Sequence, residues 1–171
     1  MPLHRKKCVR YNEPGHAHSL TFSCKGRCPL LVSDLTKQLL VESLAAARQR
    51  YGFDIWAYVI MPDHVHLLIR PRQQDYSISE ILRAVKRPMS FRAHQQKLLT
   101  EPGFWLPGGG YDRNIATPKA AHAEIAYIHA NPVRKGLCAR PEDWRFSGAA
   151  FWLGRHDVPL KMDRTVPPAE F

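Results

Sequence analysis

From His18 to Cys24 the sequence H-S-L-T-F-S-C sets Leu20 and Phe22 on one side of an extended chain, with Ser19, Thr21 and Ser23 on the other. This is the alternation of a half-buried strand. Ser33 then stands at a helix cap, and Leu35, Leu39, Leu40, Leu44 and Ala47 recur at helical spacing from Asp34 to about Tyr51, with Gly52 as the stop. Phe53 to Met61 is aromatic and β-branched, and Pro62-Asp63 turns it into His64–Arg70, which predicts an antiparallel hairpin. Ser77-I-S-Glu80 is a capping box for a helix that turns Ile78, Ile81, Leu82 and Val85 inward, and Pro88 is expected to kink or end it. Pro102 to Gly110 (P-G-F-W-L-P-G-G-G) reads as loop, with Phe104-Trp105-Leu106 as a candidate edge strand and Tyr111 still in a loop setting. Thr117-Pro118 opens a helix to about Ala130, which Pro132 is expected to end or distort. Short helices are expected after Pro141 and Ser147. The pattern predicts an α+β fold, a central antiparallel β-sheet covered by helices. One domain is expected over residues 1–154, with a basic, proline-containing tail over 155–171.

Composition narrows the partner. The chain of 171 residues carries 25 Lys+Arg against 15 Asp+Glu, a formal net charge of +10. Such an excess repels itself unless a polyanion offsets it, which points to nucleic acid or an anionic surface. No apolar run is long enough for a transmembrane helix, and M-P-L-H-R-K-K-C lacks the apolar stretch of a secretory signal. A cytosolic setting is expected, in which Cys8, Cys24, Cys28 and Cys138 are free thiols. The pair Cys24 and Cys28, with His16 and His18 upstream, has no second clean ligand pair for zinc.

M-P-D-H-V-H-L-L-I carries the first chemistry. His64 and His66 share one strand face and Val65, Leu67 and Ile69 the other. Two imidazoles about 7 Å apart at a strand mouth are a bidentate metal platform, or two rings at the solvent end of a strand. The second element is E-I-A-Y-I-H-A-N-P-V-R-K-G-L, Glu124 to Leu137, where Tyr127 stands one turn before Asn131. A helical tyrosine is commonly the edge of a packed face. As a nucleophile, a phenol with a pKa of about 10 needs its proton removed or its anion stabilised by a cation.

Taken together, Tyr58-V-I-M-P-D-H-V-H-L-L-I and Tyr127-I-H-A-N-P-V-R-K-G-L resemble the HUH single-tyrosine transposases, most of all the REP-associated tyrosine transposases. Gly15-H-A-H-S-L-T-F-S, Phe104-W, Tyr111-D-R-N-I and Arg140-P-E-D-W-R-F-S extend the likeness over about residues 15 to 152, in the family's order. The resemblance implies a ferredoxin-like sheet of about four to five strands, with the histidines on a central strand and the tyrosine on a C-terminal helix. It implies His64, His66 and Asn131 as ligands of Mg²⁺ or Mn²⁺ and Tyr127 as the nucleophile. The reaction implied is attack on single-stranded DNA at a REP-type hairpin with an adjacent guide tetranucleotide, giving a 5′-phosphotyrosine and a free 3′-OH. A monomer in the bacterial cytoplasm, with the nucleoid, is expected. No second tyrosine stands a helical turn from Tyr127, unlike the two-tyrosine replication type.

Two departures stand out. Asp63 replaces the asparagine expected before the first histidine, either tuning a histidine or forming the turn, and Leu106-P-G-G-G is unlike the family. Candidate DNA contacts are Arg5, Lys6, Lys7, Lys86, Arg87, Tyr111, Arg113, Arg134 and Lys135; any of these cations can equally be a solvated charge. Trp105, Tyr111 and Trp144 are candidate stacking platforms. A domesticated hairpin-binding protein with little or no cleavage is the alternative, and basic charge alone does not separate DNA from RNA.

Overall fold

The computed structural model describes residues 8–108 and 110–169. Its elements run β1 (Ala17–Ser23), α1 (Asp34–Tyr51), β2 (Phe53–Ile60), β3 (His64–Pro71), α2 (Ile78–Gln95), β4 (Tyr111–Ile115), α3 (Pro118–His129), α4 (Asn131–Arg134) and α5 (Ala149–Trp152). The first six follow the βαββαβ order of ferredoxin-like folds. The strands form one antiparallel four-stranded sheet, in the order β2-β3-β1-β4.

Two apolar clusters lie on opposite faces of this sheet. Leu20, Phe22, Val65, Leu67 and Ile69 pack with α1 and α2, while Ala57, Val59, Leu68 and Ile115 pack with Ala121 and Ile128 of α3. A bulge at Trp56 lies between the paired Ile55 and Ala57. It reverses which residues face which layer, so a strand buried on both sides shows no alternation in its sequence.

The helix signals hold where local chemistry decides. Ser33 accepts from Thr36 N and Gly52 closes α1 in the left-handed region, while Ser77 accepts from Glu80 N. Leu35, assigned to the inward stripe, is instead exposed. The helix expected to break at Pro88 continues through it to Gln95. Met89 and Ala93, on the stripe of Ile81 and Val85, are fully buried beyond the proline and hold the last turns down. Burying one such side chain contributes about 2 kcal/mol, close to the cost of the lost helical bond.

Residues 104–106 make a single bridge, Cys24 to Trp105, rather than a strand. The regular edge strand is β4, where Tyr111 sits instead of in a loop. Y-D-R-N-I carries no apolar alternation; its register on β1 defines it. Gly110, at positive φ, leads into it, and a side chain there would collide with the carbonyl of Thr21. The last glycine of L-P-G-G-G is therefore a steric requirement.

The segment after Gly154 is irregular, as its sequence suggests, yet packed. Leu160 and Met162 are buried in the α1/α2 core, and Asp163 exchanges hydrogen bonds with Ile55 on the outer edge of β2. Val166 packs on the α3 side, and the ring of His122 bonds the Pro167 carbonyl. The segment thus passes from one face of the sheet to the other.

Candidate functional site

His64 and His66 point from the interior strand β3 towards the α3 layer. On β1 they face Ser23 and Thr21. Their rings meet edge to face, with the two Nε2 atoms 3.1 Å apart. Each Nδ1 is held from behind, that of His64 by Asp63 Oδ1 at 2.6 Å and that of His66 by Thr21 Oγ1 at 2.8 Å. Asn131, buried at the start of α4, brings its Nδ2 to 2.8 Å from His66 Nε2, while its Oδ1 is buried without a partner. Burial, reinforced by the charges of His64 and Arg134, pushes the pKa of His66 down to about 4. His66 is therefore neutral near pH 7 and offers a lone pair.

This donor set fits a small divalent cation. Two ligands about 2.1 Å from one ion at a right angle lie about 3.0 Å apart, close to the spacing between the two rings. Which end of the Asn131 amide faces His66 is a matter of assignment. With the amide turned over, its orphaned oxygen takes the inner place at the same short spacing. Among the described residues no point gathers three His, Cys, Asp or Glu side chains, and the polar group beside the two rings is the Asn131 amide.

Tyr127 lies on α3, half exposed. Arg134 covers its ring, and Glu124, one turn earlier, ties the helix to the sheet. The Glu124 carboxylate accepts from Ser19 Oγ at 2.6 Å and from Arg113 at 3.5 Å. A cavity of about 410 Å³ beside His64 is lined by Arg27, Asp63 and Lys135.

The remaining expected contacts sort by partner. Lys135 and Arg134 stand at the site. Tyr111 is exposed in the row Tyr111–Thr21–His66 across the sheet, and Arg113 is shared with Glu124. Lys86 is half-buried with its ammonium over the Phe22 ring, and burial lowers its pKa. Arg87 is exposed on α2, on the opposite side of the sheet. Arg5, Lys6 and Lys7 lie outside the described residues. Trp105 and Trp144 are half-buried and bond backbone carbonyls through their indole N–H groups. His16 bonds Asn114, while His18 bonds Asp112 and Tyr76; Cys24 is buried in the core. Thr21 and Glu124 come to the site only through strand register and helix docking, which no local sequence pattern signals.

Known proteins resemble this chain in sequence and fold. A REP-associated tyrosine transposase of Escherichia coli (strain K12) is 26% identical over 138 residues, covering 81% of this chain and 79% of that protein. The solved structure of a REP-associated tyrosine transposase bound to a REP hairpin superposes with a TM-score of 0.74 at 22% identity, covering 97% of this chain and 99% of the other, and shows the shared fold. No described helix is long and apolar enough to cross a membrane. Residues 15–131 match the family described as Transposase IS200 like, and the chain belongs to that family of transposases.

Proposed function

We propose that this transposase cuts and rejoins single-stranded DNA beside REP-type hairpins, with Tyr127 as nucleophile and His64, His66 and Asn131 as the ligands of Mg²⁺ or Mn²⁺. The observation that carries this reading is the convergence of two imidazole nitrogens and one amide at cis-ligand spacing, on the sheet face where the tyrosine helix packs. When bound, the ion polarises the scissile phosphate and offsets the charge of the five-coordinate phosphorus. The phenol oxygen of Tyr127 bonds to phosphorus as the 3′-oxygen leaves, giving a 5′-phosphotyrosine and a free 3′-OH; attack by another 3′-OH reverses the step. Arg134, stacked over the Tyr127 ring, places a cation beside the attacking phenol and the phosphate it meets. Lys135 and Arg27 beside His64 are placed to receive phosphates of the same strand, and Tyr111 to stack on an unpaired base of a guide tetranucleotide.

The hairpin in the solved relative supports the substrate class. The Ser19–Glu124 and His122–Pro167 bonds hold the tyrosine helix on its own sheet and support a monomer. The test incubates the protein with Mn²⁺ and a labelled hairpin bearing a single-stranded flank, then denatures it and looks for a covalent protein–DNA species. The adduct is expected from the wild type and not from Tyr127→Phe. An adduct from Tyr127→Phe overturns the nucleophile. Tight hairpin binding with no adduct from the wild type would instead identify a binding protein.

A further inference from the structure

We infer that Asp63 is a positioning residue for the metal centre: its carboxylate fixes His64 in the Nδ1–H form, so that Nε2 is presented as a ligand. This rests on the metal-site reading proposed above.

The geometry is specific. Asp63 Oδ1 lies 2.6 Å from His64 Nδ1. A carboxylate accepts and does not donate, so the proton lies on Nδ1 and the lone pair on Nε2, the nitrogen turned towards His66. The carboxylate itself is held by the turn, because Asp63's carbonyl accepts from Cys24 N at 2.8 Å and the Pro62 carbonyl from Leu31 N at 2.9 Å. A mobile side chain could not impose a ring orientation; one mounted on a doubly tied turn can.

The rival role is an ion pair with the cations lining the neighbouring cavity. Arg27 and Lys135 are both there, yet among the described residues Asp63 forms no ion pair with either. Arg27 bonds Ser23 Oγ instead. The two ligands are therefore backed unequally, His66 by a neutral hydroxyl and His64 by a charge. A carboxylate behind a ligating imidazole sets its tautomer and its ring orientation. An asparagine at this position keeps the acceptor without the charge, so the aspartate is a stronger version of the same support.

The test uses the full chain with ¹⁵N-labelled histidine and has two readouts apart from DNA cleavage. In the metal-free wild type, NMR is expected to show His64 protonated at Nδ1, and Mn²⁺ titration gives the reference affinity. Asp63→Ala is expected to move His64 to the Nε2–H form and to weaken Mn²⁺ about tenfold or more. Asp63→Asn is expected to keep Nδ1–H and weaken Mn²⁺ only about threefold, as a neutral acceptor replaces a charged one. An unchanged tautomer in Asp63→Ala, with Mn²⁺ affinity within about twofold of wild type, overturns the inference. Mn²⁺ binding that survives His64→Ala at full strength overturns the metal reading itself, whereas the tautomer result reports on Asp63 alone.

Discussion

The guanidinium carbon of Arg134 sits 4.0 Å from the centroid of the Tyr127 ring, and its Nη2 donates to the carbonyl of Tyr127 at 2.9 Å. One cation therefore ties the backbone of Tyr127, the proposed nucleophile, and stacks on its ring. Arg134→Ala is expected to slow phosphotyrosine formation about tenfold, in line with the loss of a cation–π contact and one hydrogen bond. Single-turnover adduct kinetics read it. Weaker hairpin binding at an unchanged adduct rate would make Arg134 a DNA contact only.

Asn131 separates function from stability. Its Oδ1 is already buried and unpaired, so Asn131→Ala removes an unsatisfied atom along with one hydrogen bond to His66. The loss of stability is expected to be about 1 kcal/mol or less, while adduct formation falls at least about tenfold. Urea unfolding and adduct yield, measured on one preparation, decide this. A large stability loss would make the residue structural.

Alkaline pH is expected to destabilise the protein through Cys24. Burial, with the charge of Asp63 adding to it, pushes this thiol from 9.0 to about 12. Between those values the unfolded thiol loses its proton and the folded one keeps it, so the contribution is full below pH 9.0 and falls as pH rises. By about pH 10.5 the loss is roughly 2 kcal/mol. Urea unfolding at pH 8 and 10.5 measures it, and Cys24→Ala is expected to narrow the difference between the two.

The C-terminal segment is expected to behave as part of the core. Asp163 Oδ2 accepts from Ile55 N at 2.8 Å and from Arg48 at 3.3 Å. Asp163→Ala is expected to cost about 2 kcal/mol, a fall of about 6 °C in Tm by scanning calorimetry. Deleting residues 155–171 also exposes the pockets of Leu160 and Met162 and is expected to give an insoluble or unfolded product. A truncated chain with wild-type Tm would show the segment to be dispensable.

What the sequence reveals here follows the range of the forces involved. Ser33, Gly52 and Thr117 act within a few residues, and the helices they bound lie where the pattern places them. The strand β4 escapes notice because Y-D-R-N-I pairs with a distant partner and buries only one of its apolar side chains fully. Pro88 misleads for the converse reason, a local penalty overruled by the burial of Met89. At the site, His64, His66, Tyr127 and Asn131 are legible as types at suggestive spacings. Thr21 is not, since its place behind His66 depends on the pairing of β1 with β3. Arg113 and Lys86 read as candidate DNA contacts, and only tertiary structure adds their contacts with Glu124 and the Phe22 ring.

Tyr127 and Asn131 stand one turn apart in sequence but on two helices, since α3 ends at His129 and α4 begins at Asn131, with Pro132 unable to donate across the junction. A break in the helix thus separates the proposed nucleophile from the residue that meets His66. α3 is fixed to the sheet by buried Ala121 and Ile128 and by the Ser19–Glu124 bond, while Asn131 is fixed by its own contact with His66. The tyrosine and the amide are therefore anchored separately, so a change at one need not displace the other.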